Sequence, residues 1–182
     1  MDFYIKNMVC GRCERAVRRL FDKYAIPVSH LELGLVQCPT MPAPEPLAAL
    51  EVDLKHEGFE LARHPEAQLL VRIKNFVTTY LDTHDQRTFS EALSAHFYAD
   101  YGHLSRQFSA AEGRTLEQYL IGQRIERAKE LLQMGELTVS EIAACLGYRS
   151  NSHFSAQFKQ HTQQTPTQFR KEGGERRFWD QV

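Results

Sequence analysis

The sequence predicts an α+β protein in which a small β-α-β-β-α-β unit precedes an all-helical region. Three observations predict this arrangement. Strand-like alternation and helical periodicity follow one another in residues 1–65, apolar residues recur every three or four positions after residue 65, and the second region contains an internal repeat. We therefore expect two domains, residues 1–65 and residues 66–174, followed by a C-terminal tail at residues 175–182.

The first domain is predicted to begin with a strand and a helix. Phe3 and Ile5 alternate with polar neighbours, as in a strand with one buried face. Residues 16–24 carry apolar side chains at helical spacing, which predicts one buried helix face. Residues 8–13 lie between these elements and are expected to form the connecting loop.

The rest of the first domain is predicted to contain two short strands, a helix and a last strand. Residues 28–38 are strand-like and are broken by a tight turn at Gly34. The second helix is expected to begin at Leu47, because a run of prolines interrupts regular structure before it, and to end at Gly58. A last strand is predicted over residues 60–63.

The helical region contains a duplication. Residues 88–119 align with residues 138–169 without a gap, and about a third of the aligned positions are identical. Each copy opens on Thr-x-x-Glu, a capping box that marks the start of a helix. A chain reversal and a second helix follow. This helix is expected to be anchored in the core by Leu104 and Phe108 in the first copy and by Phe154 and Phe158 in the second.

The predicted chain reversal differs between the copies. In the second copy Gly147 supplies it, and Ser150 is expected to cap the helix that follows. In the first copy Phe97 or Tyr98 occupies the place where a glycine is expected. A long amphipathic connector over residues 119–134 is predicted to hold the two copies in a fixed relation.

Two helix-turn-helix units in fixed relation predict a DNA-binding protein, because the second helix of such a unit enters the major groove. Successive groove faces on one side of a duplex lie about 34 Å apart, so one chain is expected to span both. Basic and acidic residues are equal in number in residues 66–182, so bulk charge supplies no general attraction to phosphate. The DNA-binding surface must therefore be arranged locally.

Separated motifs in this region resemble the AraC/XylS family of transcription regulators. They are Arg124 to Leu132, Thr138 to Ala143 followed by Gly147 and Tyr148, and Thr165-Pro166 before Phe169 and Arg170. The resemblance covers residues 66–172 and implies an all-helical DNA-binding domain. It places the two recognition helices near residues 101–111 and 150–161.

Side chains of these two helices that face away from the core are the candidates for reading bases. Arg106 is expected to bind guanine and Asn151 adenine, each through a bidentate contact that contributes about 1–3 kcal/mol of discrimination. Ala156 stands where family members often carry arginine, so the second helix is expected to make weaker contacts or to read a thymine methyl group. The full set is Gly102, His103, Ser105, Arg106, Asn151, Ser152, Ser155 and Ala156.

Three basic residues of the helical domain are candidates for phosphate contacts, and the alternative is that they are ordinary solvated charges. They are Arg149, Lys159 and Lys171. His103 and His153 are duplicated, and we expect packing or phosphate roles for them rather than metal ligation.

Two cysteines, Cys10 and Cys13, lie between the first predicted strand and helix. At the helix N-terminus, the helix dipole together with Arg12 and Arg15 is expected to favour thiolates, and two thiolates suit a soft metal ion. The Met-x-Cys-x-x-Cys spacing resembles that of heavy-metal-associated domains. This resemblance implies a ferredoxin-like fold, shortened in its proline-rich middle, with Cu(I) or another soft metal ion held by the cysteine pair. A redox dithiol and a pair without function are the alternatives.

Other residues near the pair receive separate expectations. His56 is a candidate additional ligand, because the loop after the second helix approaches the metal loop in the ferredoxin-like fold. Cys38 and Cys145 are expected to be small buried fillers, and Met8 a core residue. Basic residues of the first helix are candidates for binding a partner or DNA, with a solvated face as the alternative: Arg15, Arg18, Arg19 and Lys23.

These observations together predict a bacterial transcription regulator that binds promoter DNA and responds to a soft metal ion or to redox state through Cys10 and Cys13. RNA polymerase and a second copy of the chain, as a homodimer, are the further partners expected. The alternative function is a thiol-disulfide or metal-carrier protein with a helical adaptor domain.

Several other classes are excluded on the sequence. No apolar run approaches the roughly 20 residues of a membrane span, and the first residues lack the pattern of a signal peptide, so we expect a cytoplasmic protein. No hydrolase triad, phosphate-cradling glycine loop or carboxylate pair is visible, so we do not expect an enzyme.

Overall fold

A computed structural model describes residues 1–83 and 87–172, and the tail expected at residues 175–182 lies outside this range. The chain divides into two compact units, Met1–Phe76 and Val77–Val182. The sequence places the boundary after residue 65, whereas this division falls inside a helix that begins at Pro65. Proline is well accommodated in the first turn of a helix, so Pro65 starts this element.

The first unit follows the predicted order of strands and helices. Its elements are β1 (Asp2–Lys6), α1 (Gly11–Lys23), β2 (His30–Glu32), β3 (Leu35–Gln37), α2 (Pro44–His56) and β4 (Glu60–Leu61). The four strands pair in the order β2-β3-β1-β4, and every pairing is antiparallel. In this register Phe3 lies opposite Val36, and Ile5 lies opposite Leu61.

Two boundaries in the first unit differ from the prediction. Helix α2 begins at Pro44 and not at Leu47, because a proline in the first helical turn loses no hydrogen bond. Strand β4 spans two residues and not the four expected at 60–63, although the Ala62 amide still donates a hydrogen bond to the Tyr4 carbonyl at 2.7 Å.

The core of the first unit lies between the sheet and helices α1 and α2. Phe3 of β1 and Phe21 of α1 meet edge to face, with ring centroids 6.2 Å apart. Met8 and Cys38 are buried in the same cluster, which confirms that both are core residues. The remaining fully buried members include Ile5, Val17, Val36, Leu50 and Leu54.

Gly34 occupies the turn between β2 and β3, where the backbone φ is +73°. A Cβ at this position would lie 2.7 Å from Val71 Cγ1 and 2.6 Å from Asn75 Nδ2, both in helix α3 (Pro65–Asp82). The predicted turn at Gly34 is confirmed. Glycine is needed there for two reasons, the left-handed backbone and the close approach of α3.

The second unit contains the predicted helix pairs. Its described helices after α3 are α4 (Phe89–Phe97), α5 (Tyr101–Glu112), α6 (Leu116–Met134), α7 (Val139–Cys145), α8 (Asn151–Thr162) and α9 (Pro166–Glu172). The sequence repeat is therefore structural: α4, α5 and the start of α6 correspond to α7, α8 and α9. No helix in the described ranges combines the length and apolar character required to cross a membrane.

Capping boxes set the starts of the repeated helices. The Thr138 hydroxyl accepts a hydrogen bond from the Glu141 amide at 3.2 Å, and the Glu141 carboxylate accepts one from the Thr138 amide at 2.7 Å. The box predicted at Thr88 is also present. The same reciprocal arrangement with glutamine in place of glutamate occurs at two further helix starts, Thr115 with Gln118 and Thr165 with Gln168.

Helix α6 is the predicted connector, and it lies at the centre of the second unit. It contacts α5, α7, α8 and α9, and most of its residues are buried. The buried set includes Glu126 and Lys129, which form an ion pair with 2.5 Å between Lys129 Nζ and Glu126 Oε1. A helix buried on most of its faces is a core element that both helix pairs share.

Aromatic side chains fill the core of the second helix pair. The ring centroids of Tyr148 and Phe154 are 5.1 Å apart, those of Phe154 and Phe158 are 5.7 Å apart, and those of Phe158 and Phe169 are 5.5 Å apart. Phe154 and Phe158 are fully buried, which confirms their predicted role in anchoring α8.

Candidate nucleic-acid interface and cysteine pair

The turn of the second helix pair has the predicted form. Helix α7 ends at Cys145, and Gly147 adopts a φ of +74° after it. The Ser150 hydroxyl then accepts a hydrogen bond from the His153 amide at 3.2 Å and caps α8. This geometry confirms the roles expected for Gly147 and Ser150, and it places α8 directly after a short reversal.

In the first helix pair, Tyr98 and not Phe97 makes the chain reversal. Phe97 is the last residue of α4, and Tyr98 adopts a left-handed backbone with φ of 50°. The Asp100 carboxylate then caps α5 by accepting a hydrogen bond from the His103 amide at 3.0 Å. The sequence prediction missed Asp100 as a cap, although the repeat aligns it with Ser150 and so contained the signal.

Helix α5 presents a polar face on the side opposite its buried residues. Leu104 and Phe108 are buried, whereas His103 and Arg106 are exposed, and Gly102 and Ser105 are half-buried. This face therefore contains all four residues predicted to face away from the core on α5.

Gly102 makes room for the Arg106 side chain. A Cβ on Gly102 would lie 3.3 Å from Arg106 Nη1 and 3.1 Å from Asp100 Oδ1. The guanidinium group therefore lies over the first turn of α5, and a Cβ on Gly102 would require it to move by a few tenths of an ångström. His103 lies on the same face, with its Nε2 atom 3.1 Å from Gln107 Nε2.

Helix α8 presents an equivalent face with different side chains. Asn151, Ser152 and Ala156 are exposed, and Ser155 is half-buried, as predicted for residues that face away from the core. The Asn151 amide donates a hydrogen bond to the Ser140 hydroxyl of α7, so this side chain has a partner within the unit.

His153 packs against an aromatic ring of the second helix pair. Its ring lies edge-on to Tyr148, with 5.5 Å between the ring centroids. The Tyr148 hydroxyl in turn donates a hydrogen bond to Gln157 Oε1 at 2.7 Å. The packing role expected for His153 is therefore observed, whereas His103 contacts a glutamine side chain in the first copy.

The candidate phosphate-binding residues are all exposed. Arg149 lies just before the start of α8, Lys159 lies on α8, and Lys171 lies on α9. A further arginine, Arg124 of α6, packs its guanidinium group over the Tyr148 ring at 5.7 Å and so serves the core of the unit. Arg149 and Lys159 thus add exposed positive charge just before α8 and on the helix itself.

The cysteine pair lies at the start of α1, as predicted. Cys10 occupies the N-cap position of the helix, and Cys13 lies in its first turn. Their Sγ atoms are 3.5 Å apart, both side chains are half-buried, and all four cysteines of the chain are free.

The two thiols differ in acidity. Burial raises the pKa of Cys10, but hydrogen bonds from the backbone and thiol of Cys13, from the Arg12 backbone and the nearby Arg12 charge together lower it below its ordinary value. Burial raises the pKa of Cys13, and the Cys10 thiol adds to that effect. Without a bound metal ion, the arrangement therefore favours a thiolate at Cys10 over a thiolate at Cys13.

The additional ligand considered at His56 is not brought into a cluster with the pair. His56 is exposed at the end of α2, and within residues 1–83 and 87–172 no three His, Cys, Asp or Glu side chains meet in a group able to hold a metal ion. The donor set at α1 therefore consists of the two sulfur atoms.

Comparison with known proteins matches the second unit to a family. The family model for the helix-turn-helix domain matches residues 93–172. The C-terminal domain of AraT, a response regulator from Geobacillus stearothermophilus, superposes with a TM-score of 0.53 at 26% sequence identity, covering 61% of this chain and 88% of the AraT domain.

Two curated relatives share the same region. AdaA of Bacillus subtilis (strain 168), a bifunctional transcriptional activator and DNA repair enzyme, is 32% identical over 102 residues, which are 53% of this chain and 46% of AdaA. RhaR of Salmonella heidelberg (strain SL476), an HTH-type transcriptional activator, is 43% identical over 67 residues, which are 37% of this chain and 24% of RhaR. The chain thus spans less than half the length of either relative.

Proposed function

We propose that the protein regulates transcription by binding double-stranded DNA in a sequence-specific manner, from the premise that residues 93–172 form an AraC-type helix-turn-helix domain. The observation that carries the proposal is the duplicated geometry of α4-α5 and α7-α8. In each pair a short reversal and a side-chain cap precede the second helix. The inner face of this helix is buried, and its outer face is polar. Such a helix is the element that enters the major groove in helix-turn-helix proteins.

Within this proposal the outer faces of α5 and α8 read the bases. On α5, Arg106 has the donor geometry for a bidentate contact to guanine, with His103 and Ser105 beside it. On α8, Asn151 is the candidate for binding adenine. To do so, its amide must break the hydrogen bond to the Ser140 hydroxyl and form hydrogen bonds to the base edge. Ala156 offers only a methyl group, so the proposal assigns the stronger discrimination to α5.

A selection experiment tests this function. The full chain is incubated with a library of random-sequence duplexes, and bound duplexes are sequenced. We expect enrichment of one motif, to which Arg106→Ala binds about 5- to 150-fold more weakly with relaxed preference at one base pair. Lys159→Ala serves as the matched control, because loss of a phosphate contact weakens all duplexes alike. Binding without any enriched motif would contradict the proposal.

The proposal extends to the first unit as a sensor of soft metal ions. The βαββαβ order and the β2-β3-β1-β4 sheet support the ferredoxin-like, heavy-metal-associated type of domain. The chemistry of the donors fits such an ion. Two sulfur atoms, with no third ligand among residues 1–83 and 87–172, suit a soft ion such as Cu(I), whereas zinc sites take four ligands. Cys10 and Cys13 are the residues that would hold it, and the ion would supply a fixed charge and a cross-link between them.

Metal titration tests the sensor separately from DNA binding. One equivalent of Cu(I) is added to the full chain and to Cys10→Ser, and both DNA affinity and oligomeric state are measured. A sensor must have a different affinity for DNA in its two states, so at least one quantity should change in the natural sequence and not in the variant. If neither changes, the sensor part of the proposal is wrong.

A redox dithiol is the second candidate for the pair, favoured by the 3.5 Å separation of the sulfur atoms and the lowered pKa of Cys10. A thiol-disulfide exchange assay with Cys10→Ser as control distinguishes a redox pair from a metal site. RNA polymerase and a second copy of the chain stay predictions as further partners.

A further inference from the structure

Helix α1 carries a line of basic side chains that the proposed reading helices do not account for. Arg12, Arg15, Arg19 and Lys23 are all exposed and fall within an arc of about 80° of the helix, over a length of about 16 Å. We call these four residues the basic stripe. The opposite side of α1 buries Val17 and Phe21 in the core, so the stripe points to solvent.

The arginines of the basic stripe are not neutralised by the unit that carries them. In the described ranges no carboxylate lies within ion-pairing distance of Arg15 or Arg19, whereas Lys23 pairs with Asp53 at 2.5 Å. Elsewhere in the first unit, Lys6 pairs with Glu60, and Arg63 pairs with Glu51. Arg15 and Arg19 of the stripe thus carry positive charge that folding leaves available.

We infer that the basic stripe binds the phosphate backbone of the same DNA that the second unit reads, an inference that rests on the proposed function. Three of its four residues are arginines, whose planar guanidinium groups bind phosphate through paired hydrogen bonds. A duplex carries one negative charge per about 1.7 Å of its axis, so a stripe of this length can meet several phosphates at once.

Charge balance favours DNA over an acidic protein as the occupant. Residues 77–182 contain 12 basic and 13 acidic residues, so the second unit contributes little general attraction to a polyanion. A helix-turn-helix protein needs such attraction for non-specific binding and for its search along the duplex. Because both units belong to one chain, DNA held by the second unit is present near the first at high effective concentration.

The test measures how DNA binding depends on salt. The full chain and Arg15→Gln/Arg19→Gln are titrated with the duplex selected above and with an unrelated duplex, in 50 to 200 mM KCl. We expect the slope of log affinity against log salt concentration to fall in magnitude by about 1.8, and affinity in 0.1 M salt to fall by roughly 10- to 60-fold. The affinity for both duplexes should fall by the same factor, because phosphate contacts carry no sequence information.

The matched control removes the same charge elsewhere in the first unit. Lys6→Gln/Lys55→Gln changes two lysines that form ion pairs on β1 and α2, and the slope of this variant should equal that of the natural sequence. The inference is overturned if the slope of the arginine variant is unchanged while sequence selection and the Arg106→Ala effect are intact. An acidic protein would then be the alternative partner of the stripe. An equal loss in the lysine control also overturns it, since net charge alone would then explain the effect. Failure of the full chain to select any motif is a separate result that concerns the proposed function.

Discussion

Tyr98 and Tyr148 occupy equivalent positions in the sequence repeat, and the structure gives them opposite environments. Tyr98 is 97% exposed and has a left-handed backbone, whereas Tyr148 is 9% exposed and packs on Phe154. The difference arises because α4 extends to Phe97, so that the reversal falls on the tyrosine, while in the second copy it falls on Gly147. Identity in a repeat therefore does not ensure the same role.

Replacement of Tyr98 by glycine should stabilise the second unit. A left-handed backbone is costly for a residue with a Cβ, and glycine relieves this cost, so Tyr98→Gly should raise the free energy of unfolding by up to about 1 kcal/mol. Urea denaturation followed by circular dichroism measures the change. Tyr98→Ala keeps the Cβ and should show no gain. An equal gain in both variants would mean that the exposed ring, and not the backbone, is responsible.

Acid should destabilise the second unit partly through Glu141. Hydrogen bonds from the Thr138 amide and hydroxyl lower the pKa of Glu141 in the folded state. Its contribution to stability is therefore complete above the unfolded pKa of about 4.3 and is lost as pH falls through the lower folded pKa. Glu141→Gln should retain the capping box, as Gln118 and Gln168 do, and lose less stability between pH 6 and pH 3.

The measurement for Glu141 is a series of urea denaturation curves at different pH values. Glu136→Gln removes an exposed carboxylate from the loop before the same helix and should keep the acid sensitivity of the natural sequence. If Glu141→Gln and Glu136→Gln behave alike, the capping carboxylate is not a source of the pH dependence.

Gly34 and Gly58 form a matched pair in the first unit. Both have positive φ, but a Cβ at Gly34 would clash with α3, whereas a Cβ at Gly58 would meet nothing within 4 Å. Gly58→Ala should cost about 1 kcal/mol for the backbone alone, and Gly34→Ala about 2–4 kcal/mol, because overpacking adds to the strain. Thermal and urea denaturation compare the variants. Equal losses would show that α3 does not pack closely against this turn.

Cys10 should be alkylated faster than Cys13 near neutral pH. The thiolate is the reactive form, and the pKa of Cys10 is lowered while that of Cys13 is raised. Brief treatment with iodoacetamide from pH 6 to pH 10, followed by mass spectrometry, measures each cysteine, since trypsin cleaves between them after Arg12. In urea the two rates should converge. Faster reaction at Cys13 in the folded protein would contradict the assignment.

The features that the sequence predicted well are those with local causes. The capping box at Thr138 needs only four consecutive residues, and the reversal at Gly147 needs one residue that tolerates a left-handed backbone. The two phenylalanines of α8 are separated by one helical turn and therefore share a buried face. These elements are present as predicted.

The features that the sequence did not predict depend on neighbours that are distant along the chain or on conformational alternatives. The acidity of Cys13 depends on burial by the folded unit, which the motif does not contain. A proline such as Pro44 can either interrupt regular structure or begin a helix, and the tertiary structure decides which of the two occurs. The opposite environments of Tyr98 and Tyr148 follow from a shift of one residue in the position of the left-handed reversal.

The capping residues also bear on how such a domain diversifies. Thr88, Thr115, Thr138 and Thr165 begin their helices through contacts with the next few residues, and none of these contacts involves the outer faces of α5 or α8. Mutations on those faces therefore leave the ends of the helices where they are. Arg106 and Ala156, at corresponding places in the two copies, show that the copies differ there while their architecture persists. The chemistry of the outer faces can therefore change by a few exchanges without loss of the framework.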